Sequence, residues 1–81
     1  MARYYVDYSS WFDTHPYNRP KIKKAVAKGG GKNIRESNNF GWSNQPKVVT
    51  FTATPSITNK ILKAVQEALN TQWIIIRAKD W

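Results

Sequence analysis

Residues 47–54, KVVTFTAT, constrain the fold more than any other part of the chain. The run is β-branched and free of chain breakers, which predicts a strand. Pro55 follows it directly, and the apolar residues after Pro55 recur at helical spacing. This pattern predicts a helix over 55–70, capped by Thr54 and opened by Pro55. The last stretch, 73–81, alternates in side-chain character and predicts a further strand.

The first half of the chain predicts a similar series of elements. Residues 3–11, RYYVDYSSW, have the Tyr and Val content of a strand. Pro20 fits the first turn of a helix, predicted over 20–28, and three consecutive glycines end that helix. Residues 32–46 hold one or two weak edge-strand pieces, because asparagine, serine and glycine disfavour strands.

The predicted order is therefore β-α-β-β-α-β in one α+β domain over residues 1–81. This is the order of the ferredoxin-like arrangement, a four-stranded antiparallel sheet with two helices on one face. The helices are expected to cover a set of apolar strand residues. That set is Val6, Val49, Phe51, Ile74 and Ile76.

The charge balance favours polyanionic partners. The 81 residues include 13 Lys and Arg against five Asp and Glu, a formal net charge of +8. Such an excess predicts association with nucleic acid, an acidic protein or an anionic surface. The chain has no cysteine, which argues against a disulfide framework and a thiolate metal site. No signal peptide or membrane span is apparent, so a cytoplasmic protein without a membrane partner is expected.

The basic residues concentrate in the segment 18–32, NRPKIKKAVAKGGGK. Its glycines resemble a P-loop only superficially, because they follow a helix and Asn33 stands where Ser or Thr is required. Lys21, Lys24 and Lys28 recur at spacings that put them on one flank of the helix, either as a solvated face or as a phosphate contact. The predicted phosphate-binding residues are Arg19, Lys21, Lys23, Lys24, Lys28, Lys32 and Arg35. The triple glycine is expected to let the loop follow a nucleic-acid backbone.

The sheet face without helices predicts a second contact surface. Strand alternation assigns to it Tyr5, Trp11, Trp73, Arg77 and Lys79. Aromatic rings beside basic groups suit base stacking by single-stranded nucleic acid. The order of elements resembles that of RNA-recognition-motif domains, which stack bases on their sheets. The resemblance covers topology alone, because residues 47–54 lack the glycine–aromatic pattern of that family. A homodimer through this face is the alternative.

Catalysis is the weaker expectation. Asp7, Asp13 and His15 offer a potential divalent-ion site for a nuclease, but a turn before Pro16 explains Asp13 and His15 as well. No cofactor and no metal are predicted. The sequence favours a non-enzymatic protein that binds RNA or single-stranded DNA. The alternative is a small viral or mobile-element accessory protein that inhibits a host protein or nucleoprotein complex, with Phe40, Trp42 and Trp81 as anchors.

Overall fold

A computed structural model of the chain describes residues 2–8, 19–38 and 47–80. The described residues form four strands and two α-helices. The elements are β1 (Ala2–Tyr8), α1 (Arg19–Gly29), β2 (Lys32–Asn38), β3 (Lys47–Ala53), α2 (Thr58–Leu69) and β4 (Ile74–Ala78). The α+β class and the single four-stranded antiparallel sheet predicted from the sequence are confirmed.

The strands lie in the order β2-β3-β1-β4, with every neighbouring pair antiparallel. β3 and β1 are the two central strands, and Tyr5 lies opposite Thr50 between them. Val48, Val49, Thr50 and Phe51 are all buried, so both faces of β3 are covered. The β-branched run singled out in the sequence is thus one of the two central strands of the sheet.

The core lies between one face of the sheet and the two helices. Strand alternation directs Val6 and Phe51 to this face, where Ile22 of α1 and Ile61 of α2 pack with them. Tyr4 stacks on Phe51 at a ring-centroid distance of 5.8 Å. The predicted core residues Val6, Val49, Phe51 and Ile74 are buried, and Ile76 packs against them while partly exposed. These contacts fix both helices against the sheet.

The start of α2 differs from the prediction. Thr54 makes no side-chain cap, and Pro55–Ile57 forms a 3-10 turn before the α-helix begins at Thr58. The Ile57 amide donates to the Thr54 carbonyl oxygen (3.2 Å), and the Thr58 hydroxyl donates to the Pro55 carbonyl oxygen (2.8 Å). Bonds of the 3-10 type tighten the first turn and satisfy donors that a cap would otherwise serve.

The three consecutive glycines end α1, and they also allow close packing at this point of the fold. Gly30 has φ of 105°, and the amides of Gly30 and Gly31 donate to the carbonyl oxygens of Ala27 and Val26. These two bonds are those of a Schellman motif, which ends a helix in the left-handed region. A Cβ on Gly29 would lie 2.9 Å from the Ile61 Cα, and one on Gly31 would clash with the Val26 Cγ1. Close packing accounts for Gly29 and Gly31, and the positive φ accounts for Gly30. The mobility predicted for this loop stays a prediction.

Strand β2 begins with a bulge-like irregularity in its pairing with β3 that the sequence did not predict. Asn33 has φ of 50°, and the pairing register shifts between Lys32 and Arg35. The Asn33 carbonyl oxygen accepts a 2.8 Å hydrogen bond from the Arg3 guanidinium. A bulge at the edge of a sheet is a common way to bend an edge strand.

Candidate functional site

The outer surface of the helix pair carries a groove lined by lysines. Its volume is about 820 Å³. Lys21, Lys24 and Lys28 line it from α1, and Lys60 and Lys63 line it from α2. The other lining residues are Ala25, Gly29, Ala64, Glu67 and Ala68. We call this surface the lysine groove.

The helical repeat explains why five lysines line one groove. Ile22, Ala25, Val26 and Gly29 are the buried residues of α1, so positions 21, 24 and 28 lie along its flank. On α2, Ile61 and Val65 are buried, and positions 60, 63 and 67 form the corresponding flank. Because Gly29 lets the end of α1 contact Ile61 directly, the two flanks face one groove. Small lining residues leave the groove unfilled.

The lysine groove has a strong excess of positive charge. Five lysines and one glutamate, Glu67, give its lining a formal charge of +4. Within residues 2–8, 19–38 and 47–80, no ion pair joins any of the five lysines to a carboxylate. The i, i+4 partners Lys63 and Glu67 likewise form none. Like charges at this density repel each other, and an anion in the groove would relieve the repulsion.

The other basic residues predicted to bind phosphate lie elsewhere. Glu36 of β2 accepts hydrogen bonds from Arg19 and Lys23 of α1, the latter at 2.9 Å. Lys32 and Arg35 are exposed on β2 and do not line the lysine groove. The structure thus divides the seven predicted residues: three line the groove, two pair with Glu36, and two lie on the edge strand.

The pair of cations at Glu36 ties α1 to β2. The hydrogen bond from Lys23 is the main cause that lowers the pKa of the Glu36 carboxyl, and the Arg19 hydrogen bond and both positive charges add to it. Burial of the carboxyl opposes this shift. Since these contacts satisfy Arg19 and Lys23 within the chain, these two residues are less suited to a phosphate than the groove lysines are.

Replacing Glu36 with glutamine is expected to lower the free energy of unfolding at neutral pH by about 1 kcal/mol or less, the range of partly exposed ion pairs. Because the folded-state pKa is lowered, the contribution is complete above the ordinary value of 4.5 and is lost as pH falls through the folded value. Urea unfolding at several pH values measures both effects. Glu67→Gln is the control, since no described ion pair involves Glu67; an equal loss there would contradict the assignment.

On the sheet face opposite the helices, the structure speaks against one residue of the predicted stacking platform, Tyr5. Tyr5 is only 3% exposed, which leaves no ring face for a base. Burial raises the pKa of the Tyr5 phenol, and the charge of Asp7 raises it further. Arg77 donates to the Asp7 carboxylate at 3.1 Å. Trp11 lies outside the described residues, and the homodimer through this face stays a prediction.

Arg3 organises this same face and was not singled out from the sequence. Its guanidinium donates to the hydroxyls of Thr50 (2.7 Å) and Thr52 (2.9 Å), in addition to the Asn33 carbonyl oxygen. Burial lowers the pKa of Arg3, and the nearby charge of Arg35 lowers it further. Arg3 therefore joins β1 to β3 and β2 and has a structural role.

Trp73 lies beside the end of α2 and not in β4, which begins at Ile74. The Trp73 side chain is 52% exposed. It lines a depression of about 520 Å³ that adjoins the lysine groove, because both include Lys63 and Glu67. The remaining lining residues are Gln66, Asn70, Thr71 and Gln72. We call this surface the tryptophan depression.

Two groups of sequence predictions fall outside the described residues. The predicted anchors Phe40, Trp42 and Trp81 are one group, and Asp13 and His15 are the other. In the part of the chain that the structure describes, no cluster of three His, Asp or Glu residues suits a metal ion, and neither helix is long and apolar enough to cross a membrane.

Comparison of the chain with protein-family models, with curated proteins and with solved structures found no match. The geometry and charge of the chain's own residues therefore carry the functional argument.

Proposed function

We propose that this chain is a non-enzymatic nucleic-acid-binding protein whose lysine groove contacts the phosphate backbone. The observation that carries the proposal is the convergence of five lysines from two helices with no described ion pair to a carboxylate. Lysines that neutralise phosphates release condensed counterions, which supplies most of the affinity of non-specific binding. Because nucleic acid is mainly an intracellular ligand, the proposal includes an intracellular location for the chain.

A polyanion fits the groove better than a single small anion does. The five lysines are distributed along two helices, at positions 21, 24 and 28 of α1 and 60 and 63 of α2. Lysine is a flexible point charge without the planar fork of arginine, so it tolerates many phosphate positions. These properties favour a backbone contact of low sequence specificity, since phosphates position a ligand and base edges specify it.

We also propose that the fold is ferredoxin-like. The sheet order supports this assignment, because β3 lies between β1 and β2, and β1 lies between β3 and β4. Each strand–helix–strand unit is thus split by one strand from the other unit, as the split βαβ arrangement requires. The 3-10 turn before α2 is an addition to that arrangement.

The proposal is tested by titrating the native chain into labelled single- and double-stranded RNA and DNA at several salt concentrations from ~50 mM upward. If all five groove lysines contact phosphates, the log–log slope of the binding constant against salt is expected near −3.5 to −4.5, about −0.7 to −0.9 per contact. Polyglutamate of similar length serves as the control polyanion. Absence of nucleic-acid binding at ~50 mM salt would sink the proposal, and tighter binding of polyglutamate would favour an acidic protein partner.

A divalent-ion arm of the same titration tests the remaining catalytic alternative. Oligonucleotides incubated with the chain and Mg²⁺ are expected to stay intact. Cleavage that needs the ion and disappears in Asp7→Ala would contradict the non-enzymatic assignment and favour the nuclease.

A further inference from the structure

The tryptophan depression continues the lysine groove and adds a different chemistry to it. Trp73 is the exposed large hydrophobic residue of the described chain. Three residues with amide side chains, Gln66, Asn70 and Gln72, line the depression with it. An indole offers a flat aromatic face, and amide side chains can both donate and accept hydrogen bonds. This combination suits a planar ligand with polar edges.

The turn that presents Trp73 is fixed by hydrogen bonds. Asn70 has φ of 53° and ends α2, with its amide donating to the Glu67 carbonyl oxygen (3.2 Å). The Thr71 amide donates to the Gln66 carbonyl oxygen (3.1 Å), and the Thr71 hydroxyl accepts from the Trp73 amide (3.1 Å). The Gln66 side chain donates to the Ile74 carbonyl oxygen (3.3 Å). These bonds hold Trp73 at a set position relative to Lys63.

We propose that the tryptophan depression stacks an unpaired base of a single strand whose backbone lies on the lysine groove. This inference rests on the proposed function and names its ligand as single-stranded nucleic acid. Lys63 belongs to both surfaces, so a phosphate on Lys63 brings the adjoining base next to Trp73. The base faces of a duplex interior are covered by neighbouring base pairs, whereas an unpaired base can stack on an aromatic side chain.

The amide side chains in the tryptophan depression allow only a modest preference for particular bases. Gln66 already uses one amide donor on the Ile74 carbonyl oxygen, and the other amide side chains that line the depression are those of the exposed Asn70 and Gln72. Every base has a π-face, so stacking on Trp73 tolerates all four. The inference therefore concerns strand state more than sequence.

The test compares Trp73→Ala, Trp73→Leu and Trp73→Phe with the native chain on a 12-nucleotide single strand and on the matching duplex, in DNA and in RNA. Trp73→Ala is expected to weaken single-strand binding roughly five- to a hundredfold, the usual range for one stacked base. Duplex binding should change by less than about twofold, since the lysines are intact. Trp73→Phe keeps a ring and should retain most of the affinity; Trp73→Leu keeps apolar area without a ring and should not.

Thermal unfolding of each variant confirms that the chain still folds. Equal losses on single strand and duplex, or unchanged single-strand affinity in Trp73→Ala, would overturn the stacking inference and leave the phosphate contact of the groove intact. A native chain that binds neither strand form would remove the proposed function itself, so the two failures are distinguishable. RNA and DNA arms that differ in affinity identify which single strand the depression prefers.

Discussion

Replacing Lys21, Lys24 and Lys60 together with alanine is expected to weaken nucleic-acid binding about a hundred- to a thousandfold at ~50 mM salt. Each lysine that neutralises a phosphate is worth roughly tenfold at that salt concentration by counterion release, so three lost contacts multiply. The log–log salt slope should become shallower by about 2 to 3 units at the same time. Fluorescence anisotropy of a labelled oligonucleotide at four salt concentrations measures both quantities.

A second triple variant separates the groove from the net charge. Replacing Lys32, Arg35 and Lys47 with alanine lowers the formal net charge by the same amount, from +8 to +5. These residues are exposed on β2 and β3 and do not line the groove. Only long-range attraction is then reduced, and salt screens it within a Debye length. Its expected loss is less than tenfold. If both triples lose affinity and slope equally, the ligand senses overall charge and the groove is not its site.

The sequence predicted one half of the groove and missed the other for a definite physical reason. Lys21, Lys24 and Lys28 could be found from their spacing in one helix, because the helical repeat is a local property. Lys60 and Lys63 have a similar spacing, but their importance depends on which flank of α2 lies against α1. That contact is made between Gly29 and Ile61, which are far apart in the chain.

The sheet shows the same division between local and long-range information. Alternation correctly separated Val6 and Phe51 of the core face from Tyr5 of the other face. It could not show that Tyr5 is buried or that Arg3 bonds to Thr50 and Thr52 across the strands. Those facts depend on which strands neighbour β1 and on how they pair with it, and these pairings join residues that are far apart in the chain.

The triple glycine also shows where local reasoning stops. Its role as a helix end follows from composition, since glycine readily takes the positive φ seen at Gly30. The close approaches of Gly29 to Ile61 and of Gly31 to Val26 and Phe51 depend on the packed structure. The contact between Gly29 and Ile61 brings the two helices together at the groove.

Replacing Gly29 with alanine is expected to lower the free energy of unfolding by about 1–2 kcal/mol. Helix propensity alone predicts the opposite sign, because alanine is favoured over glycine in helices by up to ~1 kcal/mol. The added Cβ would lie 2.8 Å from the Ile61 Cγ1 and 2.9 Å from its Cα, so the helices must move apart at a cost of about 1–3 kcal/mol. Urea denaturation of Gly29→Ala measures the sign, and a gain in stability would contradict the close contact.

A double-mutant cycle with Ile61→Ala assigns the cost to this contact. Removing the Ile61 side chain takes away the Cγ1 that meets the new methyl group, so Gly29→Ala should cost less in that background than in the native chain. Ala27→Leu adds carbon at an exposed position of the same helix and should change stability by less than about 0.5 kcal/mol.

Because separated helices also separate Lys28 from Lys60, Gly29→Ala should weaken oligonucleotide binding although the net charge of the chain is unchanged. If the two substitutions have additive effects on the free energy of unfolding, and Gly29→Ala binds the oligonucleotide with native affinity, the groove does not depend on this helix contact.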